Sequence, residues 1–344
     1  MRGVVNLMAD ILIIGGTRNM GHLLALQLYE AGHRVTIFNR GLTSDELPAG
    51  IQRIRGDRTI AAELETGLGS RAFDVVVDFA LYTPEEARAI VDLLNGRVGH
   101  YVFISSGQVY LVRQGLERPF SEDDYDGPIM PAPKPNTYGH EEWNYGIGKR
   151  EAEDVLVAAW QSEKFPYTSL RLPMVNSERD PMRRLYNYML RIQDGGPILV
   201  PHTPRYNLRH IYAGDVVQVV SRLIDTGKGI GCAYNISQDE TVSLPQFIDM
   251  VSDLMHKPAP ELIEVKRSVL EAHGFLPDCS PFSDRWMSEL TNERSKAELG
   301  MTYTPLPVYL ERIVQHYKKH PPQKPAGYKR RSAERQLVME MQML

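Results

Sequence analysis

Short apolar runs alternate with amphipathic stretches through the first half of the chain. Residues 10–14 form a run of β-favouring side chains, a glycine-rich segment follows, and residues 22–31 carry apolar positions at helical spacing. Further apolar runs at 35–38, 51–54, 73–79 and 101–104 read as strands, with a helix predicted over 84–94. These runs are nearly continuous rather than alternating, the pattern of parallel strands covered on both faces by helices. The predicted fold is α/β, a doubly wound parallel sheet. Beyond it, 181–194 has helical spacing, Gly195-Gly196-Pro197 turns the chain, 198–201 is a strand and 215–225 a helix against the sheet. There is no internal repeat.

The first strand, glycine segment and helix set up a specific chemistry. In Gly15-Gly16-Thr17-Arg18-Asn19-Met20-Gly21, Gly15 permits a tight turn and Gly21 a close approach of helix to strand. The helix start offers unpaired N–H groups to a pyrophosphate. The second strand ends at Asn39-Arg40, where an NAD site usually places a carboxylate for the ribose hydroxyl. Two guanidinium groups, Arg18 and Arg40, suit a 2′-phosphate, so NADP is favoured over NAD; two solvated loop arginines are the plain alternative. Asp57, followed by Arg58, ends the third run and can accept from an adenine amino group. Phe79 and Ala80 end the fourth. Strand carboxyl ends are where such sheets hold ligands.

Tyr145 and Lys149 lie one helical turn apart, on one face. An ammonium beside a phenol favours the phenolate and makes it a proton donor or acceptor for an alcohol/carbonyl pair. The spacing alone also describes an ordinary surface helix. Ser106, just past a strand, adds a hydroxyl to hold the substrate oxygen while a nicotinamide exchanges hydride.

With these parts in this order, the chain resembles the extended short-chain dehydrogenase/reductase superfamily, in its NAD-dependent epimerase/dehydratase group. The matching pieces are the glycine loop, Tyr-x-x-x-Lys, Ser105-Ser106-x-x-Val109-Tyr110, Arg209-His210-Ile211-Tyr212-Ala213-Gly214-Asp215-Val216, Tyr234-Asn235-Ile236-Ser237, and the Ser295–Gly300 stretch. The resemblance implies a Tyr/Lys helix over 144–160 and catalytic roles for Ser106, Tyr145 and Lys149. It implies cofactor contacts from Gly15 through Gly21, Asn39, Arg40, Asp57, Arg58, Phe79, Ala80 and Ser105, and from Tyr145, Lys149, Pro173, Met174 and Val175. Gln108, Asn176 and Arg209 become substrate positions; for Arg209 an internal salt bridge is the alternative. It also implies a dinucleotide domain over 9–180 completed by about 208–237, a substrate region at 181–207 and 238–320, and a tail at 321–344.

The sequence departs from the family pattern in three places. Arg18 replaces the middle glycine, a form similar to an atypical branch that includes the chloroplast stem-loop binding proteins, some of which bind RNA. Gly107 and Gln108 stand where dehydratases carry Asp and Glu, so 4,6-dehydration lacks its acid and base. In Ser280-Pro281-Phe282-Ser283-Asp284 no arginine stands before the Asp and Arg285 follows it, so a second contact to a substrate diphosphate is missing. Aromatic and methionine side chains from Met174 to Met287 can line a flatter pocket or simply fill a core.

Composition changes this picture little. A net charge of −4 argues against a mainly electrostatic nucleic-acid binder, and ten scattered histidines offer no metal triad, so neither nucleic acid nor metal is expected. Cys232 and Cys279, the two cysteines, read as reduced thiols. Without a signal-like start or a membrane-length apolar run, the protein is expected in the cytoplasm, acting on a small molecule. The tail, with Leu337, Val338, Met341 and Leu344 at helical spacing, reads as frayed by default; docking on its own core or in a homodimer is the alternative. The expected function is NAD(P)-dependent oxidation, reduction or epimerisation of a secondary alcohol or ketone. A nucleotide-sugar epimerase proper and an RNA-binding member without redox turnover are its rivals.

Overall fold

The computed structural model describes residues 8–202 and 206–343. By internal contacts the chain forms two units. The first comprises Met1–Pro173, Ala213–Ser237 and Leu290–Thr302, and the second Met174–Tyr212, Gln238–Glu289 and Tyr303–Leu344.

In the first unit the apolar runs become seven strands: β1 (Asp10–Ile14), β2 (Arg34–Asn39), β3 (Gln52–Arg55), β4 (Phe73–Asp78), β5 (Val98–Ser106), β6 (Tyr167–Leu172) and, later in the chain, β10 (Cys232–Asn235). All pair in parallel, in the order β10-β6-β5-β4-β1-β2-β3. Ile11 to Ile14, Val75 to Val77 and Tyr101 to Ile104 are buried, as strands covered on both faces must be. The intervening helices are α1 (Asn19–Glu30), α2 (Ala61–Leu68), α3 (Pro84–Leu94), the short α4 (Gln108–Leu111) and α5 (Tyr138–Glu163). The chain winds outward from β1 to β3, then returns and winds the other way from β4, so the winding reverses between β1 and β4. Open sheets of this kind hold ligands at that point, beyond the strand carboxyl ends.

Two helix starts matter for the site. Thr83 accepts from Glu86 N, with Pro84 at the first helical position of α3. Thr137 accepts from His140 N, so α5 begins one to two turns earlier than its Tyr/Lys segment requires. The unit closes with α7 (Ala213–Thr226) and α10 (Glu293–Leu299). The latter lies outside the expected dinucleotide-domain bounds, yet Thr291 N donates to Phe120 O and Tyr234 OH to Glu298, tying the segment to this unit.

The second unit contains two parallel strand pairs, β7 (Val175–Asn176) with β9 (Ile211–Tyr212), and β8 (Ile198–His202) with β11 (Leu262–Lys266). Around them pack α6 (Arg184–Asp194), α8 (Leu244–Met255), α9 (Arg267–Ala272) and α11 (Leu306–Lys319). The tail corrects the expectation of fraying, for it forms α12 (Arg331–Gln342). Leu337 and Val338 join an apolar cluster with Leu199, Val265, Leu270 and Phe275. Glu334 pairs with Arg191 at 2.6 Å, both essentially without solvent contact, and Arg331 forks onto Asp194 at 2.8 Å per arm. A buried charge pair and an apolar face hold this helix where helical spacing alone would leave it loose. Leu344 lies outside the described residues. Among the described residues no helix is long and apolar enough to cross a membrane.

Candidate active site

The strand order lays the predicted cofactor residues along one edge of the sheet. Moving outward from β5, that edge carries Ser106, then Phe79 and Ala80 after β4, the glycine loop after β1, Asn39 and Arg40 at the end of β2, and Asp57 after β3. From β5 to β2 is three strand spacings, roughly 14 Å, a length an extended dinucleotide can span. A cavity of about 420 Å³ occupies this edge, lined by the glycine loop, Asn39 to Thr43, Gly56 to Thr59, Phe79, Ala80 and Tyr82.

Close packing builds the loop. A Cβ on Gly21 would sit 2.7 Å from Gly16 Cα, so only glycine lets α1 start against the turn. The first turn of α1 has no acidic residue and no side-chain cap, which leaves its N–H groups and partial positive charge for an anion. Asn19 holds a left-handed backbone (φ 44°), and its Oδ1 is buried without a partner among the described residues. Strain and an unsatisfied polar atom are features of a ligand cradle, and these residues fit a dinucleotide.

At the β2 end, Arg18 donates to Thr43 Oγ1 through Nε (3.1 Å) and Nη2 (2.8 Å). Asn39 Oδ1 accepts from Gly41 N at 2.9 Å and from Arg55, whose guanidinium the sequence reading missed. Arg40 is mostly exposed, 3.8 Å from Asp57. Asp57 spends one carboxylate oxygen on Thr59 N and Oγ1, which holds its pKa below the usual carboxylate value. Arg58 lies in the cavity wall, but its guanidinium is buried against Asp78 (2.9 Å), Glu86 (2.7 Å) and Ala80 O (3.0 Å), bracing the exit from β4.

At the β5 end the two serines part. Successive strand residues face opposite ways. Ser105 turns inward and donates to Glu153, itself paired with Arg171. Ser106 Oγ accepts from Gln108 N at 3.2 Å. The Gln108 amide donates to Glu142 on α5, while its Oε1 is buried without a partner among the described residues. Glu142 lies one turn before Tyr145, whose side chain is 38% exposed. One turn on, Lys149 is 2% exposed; Nζ donates to Ile104 O at 3.0 Å and lies 4.7 Å from the Phe103 ring centre and 5.9 Å from that of Tyr145. Burial pushes its pKa down to about 7, partly opposed by the Asp78 carboxylate. A lysine in that state changes charge near neutral pH. Lys149 thus reaches β5 through the Ile104 carbonyl, and Glu142 ties α5 to α4 through Gln108, while the Tyr145 ring lies near the Tyr82 ring and the Lys149 ammonium.

The remaining predicted positions follow the break between the units. Pro173 ends the first segment of one, and Met174, Val175 and Asn176 begin the other. Asn176 is buried, its Nδ2 donating to His210 Nδ1 (3.0 Å) and Tyr309 OH (3.3 Å). Burial holds the His210 pKa near 3, leaving the ring neutral. Arg209 Nε donates to Gln238 O at 3.0 Å.

Residues 11–237 match the profile of the NAD dependent epimerase/dehydratase family. The chain belongs to that family. It is 27% identical over 268 residues to the chloroplast stem-loop binding protein of 41 kDa b of Arabidopsis thaliana, a match over 74% of this chain and 65% of that relative's own length. In fold it is similar to the UDP-glucose 4-epimerase of Thermotoga maritima solved with UDP-glucose (TM-score 0.71, 17% identity, 91% of this chain and 99% of that one). It is similar also to WbmG of Bordetella bronchiseptica solved with NAD (TM-score 0.71, 20% identity, 93% and 96%). At these identities the two structures establish the fold, a Rossmann-type parallel sheet.

Within this family member, sequence reasoning passed over Arg55, Tyr82 and Glu142. Arg55 carried a signal, lying at a strand end next to the second strand. Glu142 shares the Tyr145 face by helical spacing. Tyr82 follows Ala80 by two residues and had no motif to mark it.

Proposed function

We propose that the chain is an NAD(P)-dependent oxidoreductase or epimerase acting on a secondary alcohol or ketone, with Ser106, Tyr145 and Lys149 as its reacting set. The observation that carries this reading is the burial of Lys149. Its ammonium is drawn out of water beside the strand that ends in Ser106, one turn from a tyrosine that stays half open to solvent. Burying a lysine is costly and is hard to account for as surface decoration.

Nicotinamide, when bound, supplies the hydride acceptor or donor. Ser106 holds the substrate oxygen by its hydroxyl. Tyr145 takes the proton from that oxygen or returns it. Lys149 favours the phenolate by its charge and offers N–H donors to ribose hydroxyls. The glycine loop and the start of α1 receive the pyrophosphate. Arg18, Arg40 and Arg55, with no carboxylate at the end of β2, support NADP over NAD. Asn176 and Arg209 are the proposed substrate contacts. The corresponding setting is a cytoplasmic enzyme without a metal, acting on a small molecule.

Nucleotide-sugar epimerisation is the variant of this reading that the first structural neighbour's name supports. The plant relative's name supports a second reading, RNA binding without redox turnover; steeply salt-dependent RNA affinity and no dinucleotide binding would favour it.

The test begins with identifying the dinucleotide that co-purifies, since tightly retained oxidised cofactor favours an epimerase and an exchangeable one a reductase. Tyr145→Phe then keeps cofactor affinity within about threefold and lowers turnover by at least ~100-fold. Unchanged turnover removes Tyr145 from the mechanism.

A further inference from the structure

Tyr82 stands where three parts of the first unit converge, and the reaction as derived gives it no task. It follows β4, lines the dinucleotide cavity and is 48% exposed, so its ring is not committed to the core. The ring centre lies 4.6 Å from Lys149 Nζ and 6.2 Å from the Tyr145 ring, tilted by 49°. Its backbone is pinned from both sides. Tyr82 N donates to Glu86 Oε2 at 2.8 Å, the oxygen that also takes Arg58 Nη1. On the other side, a Cβ on Gly148 would come within 2.4 Å of Tyr82 O, so a glycine in α5 lets this loop press onto the helix between Tyr145 and Lys149.

A desolvated ammonium needs compensation. Among the described residues Lys149 Nζ donates to Ile104 O and has three aromatic rings near it, Tyr82 at 4.6 Å and Phe103 at 4.7 Å, with Tyr145 farther off at 5.9 Å. Phe103 belongs to the buried sheet and faces the ammonium from the interior. Tyr82 reaches it from the cavity side, and the strand order puts that end of the cavity nearest Ser106. The adenosine end, at Asn39 and Asp57, is two and three strands away from β4.

We propose that Tyr82 is a positioning residue for the nicotinamide riboside, its ring holding Lys149 and the Tyr145 ring in place at that end of the cavity. This rests on the redox reading above. The ring, rather than the phenol hydroxyl, is the working part, because both contacts are made to its face or edge.

The experiment measures the affinity of NADP, NAD and ADP for the full chain by titration calorimetry, in the wild type, Tyr82→Phe and Tyr82→Leu. ADP carries the adenosine end alone. Tyr82→Leu is expected to weaken both intact dinucleotides about tenfold while ADP affinity stays within about twofold. Tyr82→Phe is expected to restore dinucleotide binding. Melting temperatures report whether either variant has lost its fold; Tyr82→Met replaces the leucine variant if it has. Equal losses for ADP and dinucleotide overturn the proposal, since the ring would then be a general cavity wall. So does undiminished dinucleotide binding in Tyr82→Leu, or a phenylalanine variant as weak as leucine. A wild type that binds neither dinucleotide defeats the redox reading and takes this inference with it, whereas dinucleotide binding that ignores Tyr82 defeats the inference alone.

Discussion

At the scale of single residues, identity was legible in the sequence where chemistry depends on type, and placement was not. The Ser105-Ser106 pair illustrates this. A strand sends successive side chains to its two opposite faces, and only the buried Glu153–Arg171 pair shows that Ser105 is the one turned inward. Arg58 is similar: the sequence names it as a cofactor contact, and only the structure shows its guanidinium held by Asp78 and Glu86 in the cavity wall. Arg40 is the contrasting case, mostly exposed and only 3.8 Å from a carboxylate that Thr59 already engages. A 2′-phosphate on the adenine ribose would give Arg40 a charge-assisted partner that NAD does not have. Arg40→Ala is therefore expected to weaken NADP by about tenfold or more, with NAD changed by less than about threefold. Titration of the variant with each dinucleotide checks this, and equal changes for both would reverse the proposed preference.

At the scale of elements, hydrophobic period placed the strands and helices it named to within about a turn, but it did not name α2, β6, α8, β11 or α11. The start of α5 was set by Thr137, whose hydroxyl accepts from His140 N several residues before the Tyr/Lys segment. The last helix, α12, shows the larger gap. Its spacing was visible, but nothing nearby in sequence shows that Arg191 and Asp194 on α6 would receive Glu334 and Arg331. Because Arg191 is fully buried, removing its carboxylate leaves an unpaired charge in the interior. Glu334→Ala is expected to destabilise the second unit by about 3–5 kcal/mol. Chemical denaturation followed by circular dichroism reads the loss. A change below about 1 kcal/mol would mean that α12 adds little to that unit's stability. Glu334→Gln, which keeps hydrogen-bonding capacity, should fall between the two.

At the scale of the whole molecule, the chain leaves the first unit after Pro173 and comes back twice, at Ala213–Ser237 and Leu290–Thr302. The first return was legible through its helix and through the Tyr234–Ser237 stretch that carries the family resemblance. The second was not, because its ties run to Phe120, Tyr234 and Ser237. Both units hide a neutral histidine, and that gives the fold a common weakness to acid. His100, in β5, shares a 2.7 Å hydrogen bond with Thr168 Oγ1, and burial lowers its pKa to about 4. His210, in the second unit, is lowered to about 3 by burial and the nearby Arg184 charge. Unfolded, each would titrate at its ordinary value near 6.5, so between that value and the folded one the unfolded chain binds more protons. Stability contributed by the two rings is therefore complete above pH 6.5 and is lost as pH falls towards 4 and 3. At pH 5 each accounts for on the order of 2 kcal/mol relative to pH 8. Denaturant titrations at pH 8, 6.5 and 5 should show this fall, with His100→Gln and His210→Gln each starting less stable at pH 8 and losing less on acidification. Variants that lose as much stability as the wild type between pH 8 and 5 would move the acid sensitivity to other groups.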